Sequence, residues 1–157
     1  MQLITSRNND CVAASVAMLF DLTLEEVKAY HLFSEAYLTY PFSFPWHKVP
    51  KVPSMEEVCE WAYTNFQVGL VPFPYDPGCQ LHACGETVPV YPDSRAALAR
   101  QMKRGPGLLE GRATDTSRGH MCAWNGGKIL DPKGYVYFPE QRKYNRFQIK
   151  QFWLKVN

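Results

Sequence analysis

From Val12 to Phe20 the chain reads Val-Ala-Ala-Ser-Val-Ala-Met-Leu-Phe, with Val12, Val16, Leu19 and Phe20 on one helical face. That i, i+4, i+7, i+8 spacing predicts a buried helix, and Ala13, Ala14 and Ala17 let neighbouring backbone approach it closely. Asp10 is the natural N-cap, which places Cys11 in the first turn. There the unsatisfied backbone N–H groups and the positive end of the macrodipole favour thiolate over thiol.

Two capping boxes mark the next helices. Thr23-Leu24-Glu25-Glu26 opens one predicted to run to about Phe33, with Leu24, Val27 and either Tyr30 or His31 facing inward. Ser54-Met55-Glu56-Glu57 opens another to about Phe66, whose apolar face is Met55, Val58, Cys59, Ala62 and Phe66. Between them, Tyr37, Tyr40, Phe42, Phe44 and Trp46 alternate with Pro41, Pro45, Pro50 and Pro53, so no regular period persists and an aromatic loop is expected. Residues 67–92 are punctuated by Pro72, Pro74, Pro77, Gly78 and Gly85 and predict a long excursion with one or two short strands.

Asp93-Ser94-Arg95 then caps a helix to about Lys103, stopped by Gly105-Pro106-Gly107. The remainder predicts strands at Leu108–Gly111, around His120–Trp124, at Lys128–Leu130, at Gly134–Phe138 and from Phe147 to Val156. Asn125-Gly126-Gly127 joins the second to the third as a hairpin. Helices first and an antiparallel sheet second make the expected class α+β.

A chain of 157 residues, 46% of them hydrophobic, can bury one core, so residues 1–157 are expected to form a single domain. Seventeen basic against 15 acidic residues leave a net charge of +2, which gives no pull toward nucleic acid or anionic membrane. The basic bias of Lys133, Arg142, Lys143, Arg146, Lys150 and Lys155 reads as solvated strands, since no groove-reading motif accompanies it. No stretch approaches the roughly 18 to 20 apolar residues of a membrane span, and the first residues lack a signal-peptide pattern. Five cysteines without paired spacing suit a reducing compartment, so a cytoplasmic location without structural disulfides is expected.

A cysteine nucleophile needs a helix start or an adjacent imidazole to ionise it, and a third group to orient that imidazole. Cys11 has the first; His120 begins a strand, and the hairpin folds Asp131 back toward it. The competing readings are an ordinary buried thiol for Cys11, a hydrogen-bonded core histidine for His120, and a turn initiator for Asp131-Pro132. Cys122 should share a strand face with His120 and pack under the site. Cys79, His82 and Cys84 have loose spacing and no second ligand pair, so neither metal nor cofactor is expected. Trp46 and Trp124 are candidates for substrate contact; Trp61 is expected in the core or lining a pocket.

These residues carry a resemblance. Asp10-Cys11 with the small-residue run to Leu19, then His120, Trp124-Asn125-Gly126 and Asp131-Pro132, resembles the C39-like branch of the papain-like cysteine peptidase superfamily, found in bacteria and phages. The likeness covers mainly residues 1–33 and 107–138 and makes a Pro- and aromatic-rich insertion of about residues 34–92. It implies a papain-like fold, with N-terminal helices packed on a C-terminal antiparallel sheet, and a bacterial or phage-infected host cell. It also implies a Cys11-His120-Asp131 triad that hydrolyses an amide or thioester of a peptide or protein through an acyl-enzyme. The superfamily's oxyanion glutamine, six residues before the cysteine, is replaced here by Thr5. Asn8 or Asn9, with the Cys11 N–H, could supply the hole instead. The same departure fits an alternative, a catalytically altered phage or mobile-element protein that binds and modulates a host protein.

Overall fold

The computed structural model describes residues 1–6, 10–35, 52–74, 80–83, 86–89, 95–113, 119–138 and 147–157. Helix α1 (Cys11–Phe20) buries every residue from Val12 to Leu19. It ends at Asp21, whose left-handed backbone (φ 58°) sends its N–H to the carbonyls of Ala17 and Met18. Helix α2 (Leu24–Lys28) is opened by its capping box, with Thr23 N–H donating to Glu26 at 2.7 Å and Glu26 N–H donating to Thr23 Oγ1 at 3.1 Å.

The helix expected to reach Phe33 stops at Lys28 and is followed by a single 3₁₀ turn, His31–Phe33. Extended backbone at Tyr30 makes the break, and the result is that Tyr30 and Phe33 both turn their rings edge-on to Trp61, at 5.3 and 5.0 Å. Tyr30 is thus the inward-facing choice and His31 is exposed. Helix α3 (Met55–Phe66) carries Trp61 and starts as the sequence predicts, with Ser54 and Glu57 capping each other. Phe20 and Phe66 complete the aromatic group around Trp61. This cluster joins α1, α2 and α3 into one layer.

Strand β1 (Gly69–Pro74) leaves α3 and becomes an edge of the main sheet, paired antiparallel with β8 (Phe147–Val156). An edge tolerates Pro72 and Pro74, which have no N–H to donate. The excursion therefore contributes to the main sheet, and with the separate hairpin of β2 (Gln80–Ala83) and β3 (Glu86–Pro89) it holds three strands where one or two were expected. Helix α4 (Arg95–Met102) follows; its expected cap, Asp93-Ser94, lies outside the described residues.

Strands β4 (Gly107–Ala113), β5 (Gly119–Trp124), β6 (Ile129–Asp131) and β7 (Tyr135–Tyr137) complete an antiparallel sheet in the order β1-β8-β4-β5-β6-β7. Gly107 permits the β4–β8 approach, since a Cβ there would lie 2.2 Å from the Trp153 carbonyl oxygen. The central strands are buried on both faces, so adjacent residues there serve different cores. Leu108 and Met121 pack with α1, α2 and α3, while Leu109, Cys122, Trp124, Ile129, Phe152 and Leu154 pack with Met102 at the end of α4. The architecture is α+β, with helices on both faces of a mostly C-terminal sheet. Among the described residues, no helix is long and apolar enough to cross a membrane.

Candidate active site

The β5–β6 hairpin is built by Asn125. Its Oδ1 accepts from the N–H groups of Gly127 at 3.0 Å and Lys128 at 2.8 Å, and Gly126 takes the positive φ of 97° that the turn needs. The resulting register sets Leu130 opposite Ala123 and Ile129 opposite Trp124. One step further, Asp131 falls beside Cys122 and within reach of His120. The imidazole Nε2–H donates to Asp131 Oδ1 at 2.7 Å, with His120 8% and Asp131 2% exposed.

A buried carboxylate must be well supplied with donors. Asp131 Oδ1 also accepts from the Lys133 N–H at 2.8 Å, and Oδ2 accepts from the Tyr137 hydroxyl at 3.2 Å. Its backbone carbonyl closes the next turn by accepting from Gly134 N–H at 2.8 Å, where φ is 92°. The neighbouring Pro132 carbonyl accepts from Ser6 N–H at 2.9 Å, which ties the N-terminal segment to this turn.

Helix α1 is fixed against β5 by a buried hydrogen bond from Ser15 Oγ to the Met121 carbonyl, 3.1 Å long. Cys11 lies one helical turn before Ser15, so it arrives beside the residue preceding Met121, which is His120. Cys11 comes close enough to His120 to act on the imidazole's pKa. Nε2 is engaged by Asp131, which leaves Nδ1 as the ring nitrogen available for chemistry. The ring is further held edge-on by Phe147, centroids 5.7 Å apart.

The electrostatics follow from these contacts. Burial is the largest influence on His120 and pushes its pKa down. The hydrogen bonds to Asp131 and Cys11 and the charges of both together outweigh it and raise the value to about 9. Cys59 is pushed up to about 11 by burial and by Glu56, and Cys122 is raised by burial, by Asp131 and by Cys11, with Lys133 partly opposing.

Asp10 departs from its expected role. Its carbonyl accepts the first helical bond, from Ala14 N–H at 2.9 Å, but its side chain makes no cap hydrogen bond and pairs with Lys28 Nζ at 2.6 Å. Trp124 is a correction as well. At 3% exposure, with its indole N–H donated to the Met102 carbonyl at 2.8 Å, it is a core residue and cannot meet a substrate. Asn8, Asn9, Trp46, Cys79 and Cys84 lie outside the described residues.

Sequence reasoning missed Ser15 and Tyr137. Ser15 was detectable as the one hydroxyl in an apolar helix, four residues after Cys11. Tyr137 pairs with Ile129, so strand alternation puts it on the same face as Ile129 and Asp131 once β7 is known to be antiparallel to β6. His120, Cys122 and Asp131 also form a group whose metal-binding atoms lie within 4.8 Å of one another. A half-exposed thiol, an imidazole that can exchange a proton with it, and a buried carboxylate behind the imidazole are the parts that acyl transfer requires. Comparison with family models, with curated proteins and with solved structures found no match.

Proposed function

We propose that this chain is a cysteine-dependent hydrolase of amide or thioester bonds in a peptide or protein, with a papain-like, C39-like fold. The observation that carries the reading is the buried His120–Asp131 pair on the two strands of one hairpin, with Cys11, at the start of α1, near enough to influence the imidazole. In this reading the Cys11 thiolate attacks the carbonyl carbon; the C–S bond forms as the carbonyl π pair moves onto oxygen. When that pair returns, the C–N or C–S bond to the leaving group breaks, and His120 Nδ1 gives the leaving group its proton. Water then attacks the acyl-enzyme, passes a proton to His120 and frees the acid. Asp131 holds the imidazole in the tautomer and orientation that both steps use. The Cys11 backbone N–H, with the Asn8 or Asn9 amide, is the proposed oxyanion site.

The test is competitive labelling with iodoacetamide near neutral pH, with modified cysteines identified by mass spectrometry. Cys11 is expected to react before Cys59 and Cys122, and Cys11→Ala to abolish hydrolysis of an activated acyl ester without loss of folding. Uniform labelling, with hydrolysis unchanged in Cys11→Ala, overturns the reading. Full biological activity in that variant would favour the host-binding alternative.

A further inference from the structure

We propose that His120, Cys122 and Asp131 form a binding site for a thiophilic divalent cation such as Zn2+, and that occupation of this site reversibly silences Cys11. The silencing rests on the hydrolase reading; the binding does not. Three donors of the kinds zinc prefers, an imidazole nitrogen, a thiol sulfur and a carboxylate oxygen, already lie within 4.8 Å of one another. Zinc bonds of about 2.0 to 2.3 Å in a tetrahedron place donors roughly 3.3 to 3.6 Å apart. The His120–Asp131 pair at 2.7 Å must therefore open by somewhat less than about 1 Å, and Cys122 must close by at most about 1.5 Å. These shifts are of side-chain size. The fourth position is left to water, as in zinc sites with three protein ligands.

Cys122 makes the arrangement possible. It follows His120 by two residues on β5 and so shares its face, and its sulfur lies within 4.8 Å of an Asp131 oxygen. A carboxylate with a further donor from Tyr137 and one from the Lys133 backbone is oriented as an outer shell orients metal ligands. In the balance, the cation replaces the proton on His120 Nε2 and the proton on the Cys122 thiol, and two protons leave to solvent. Nδ1 is not a ligand. An imidazole held by the cation on one side no longer shuttles protons freely on the other, so acyl transfer stops until a chelator removes the metal.

Cys11 is not a ligand in this proposal, and that separates it from the hydrolase reading. The experiment titrates the purified chain with Zn2+ by calorimetry and with Co2+ by absorption, where a sulfur-to-cobalt charge-transfer band reports thiolate coordination. The band and tight Zn2+ binding are expected in the native chain and in Cys11→Ala, which cannot hydrolyse. Cys122→Ser should lose the band, weaken Zn2+ at least about tenfold and keep its hydrolytic activity in chelator. Cys122→Ala, checked by circular dichroism, guards against a folding defect peculiar to serine. Loss of the band in Cys11→Ala with retention in Cys122→Ser assigns the metal to the nucleophile and overturns the proposal, as does the absence of any band in the native chain. If binding follows the expected pattern while no variant or condition shows hydrolysis, the metal site stands and the hydrolase reading falls.

Discussion

Helices α2 and α3 begin in one way and α1 in another. At Thr23 and Ser54 the backbone is extended, the hydroxyl accepts from the N–H three residues on, and a glutamate reaches back to the cap. Those two helix ends are closed by their own side chains. At Asp10 the backbone lies at φ −86° and ψ 11°, and the carboxylate is drawn away to Lys28 on α2. The third residue of α1, where a capping box needs Glu or Gln, is the buried Ala13. The contrast teaches that α1 is stabilised by burial and by Ser15, and that among the described residues Asp10 leaves its first turn without a side-chain cap. That is the end at which Cys11 sits. A sulfur there lies at the first turn of α1 and near the His120 ring.

If the open end exists to serve a nucleophile, the largest effects belong to the residues that face it. Cys11→Ala should remove hydrolysis altogether, and Asp131→Ala should lose less, by about one to two orders of magnitude, because the orienting group is the least indispensable of such a triad. Asp131→Asn sharpens this through pH. The His120 pKa is raised from 6.5 to about 9, so the charged imidazole and the stability it brings are fully present below pH 6.5 and are lost as pH rises through 9. The alkaline limb of kcat/KM should therefore lie near pH 9. In Asp131→Asn the Asp131 charge is gone and burial is less opposed, so the limb should move toward acid. A limb that stays in place would show that Asp131 does not support the imidazolium.

What the sequence made legible, and what it hid, divides along the same line between local and distant partners. The capping boxes at Thr23 and Ser54, the Asn125 turn and the apolar period of α1 are contained within a few residues each, and the elements they predict are present. The nearness of His120 to Asp131 and the place of Cys11 in a first helical turn were legible because a hairpin and a helix start are local signals. The Lys28 partner of Asp10 was not, since nothing within four residues announces it. Nor was the place of β1: Pro72 and Pro74 mask a strand pattern, and only pairing with Trp153 and Gln151 at the far end of the chain makes these residues a sheet edge. Trp124 misled because an indole next to the hairpin looks available, whereas its N–H is spent on Met102, 22 residues away.

The closed helix ends supply the control. Thr23→Ala and Ser54→Ala should each cost about 1 kcal/mol in urea denaturation while leaving the rate of Cys11 alkylation unchanged. Reactivity that follows stability in these variants would mean that Cys11 senses the fold as a whole and not its own helix end.

The smallest effect is the most discriminating. Lys28→Ala removes the cation that holds Asp10 away from the helix axis, and the half-buried carboxylate then finds its nearest donors in the first-turn N–H groups of α1. It would cap the helix as Thr23 and Ser54 cap theirs and set a negative charge beside the sulfur. An interaction of this kind is worth about 0.3 to 1 kcal/mol, so Cys11 alkylation should slow about two- to fivefold. Adding Asp10→Ala to Lys28→Ala should restore the native rate, because the competing carboxylate is then gone. An unchanged rate in the single variant would reduce the Asp10–Lys28 pair to a strut between two helices, and the open start of α1 would owe nothing to it.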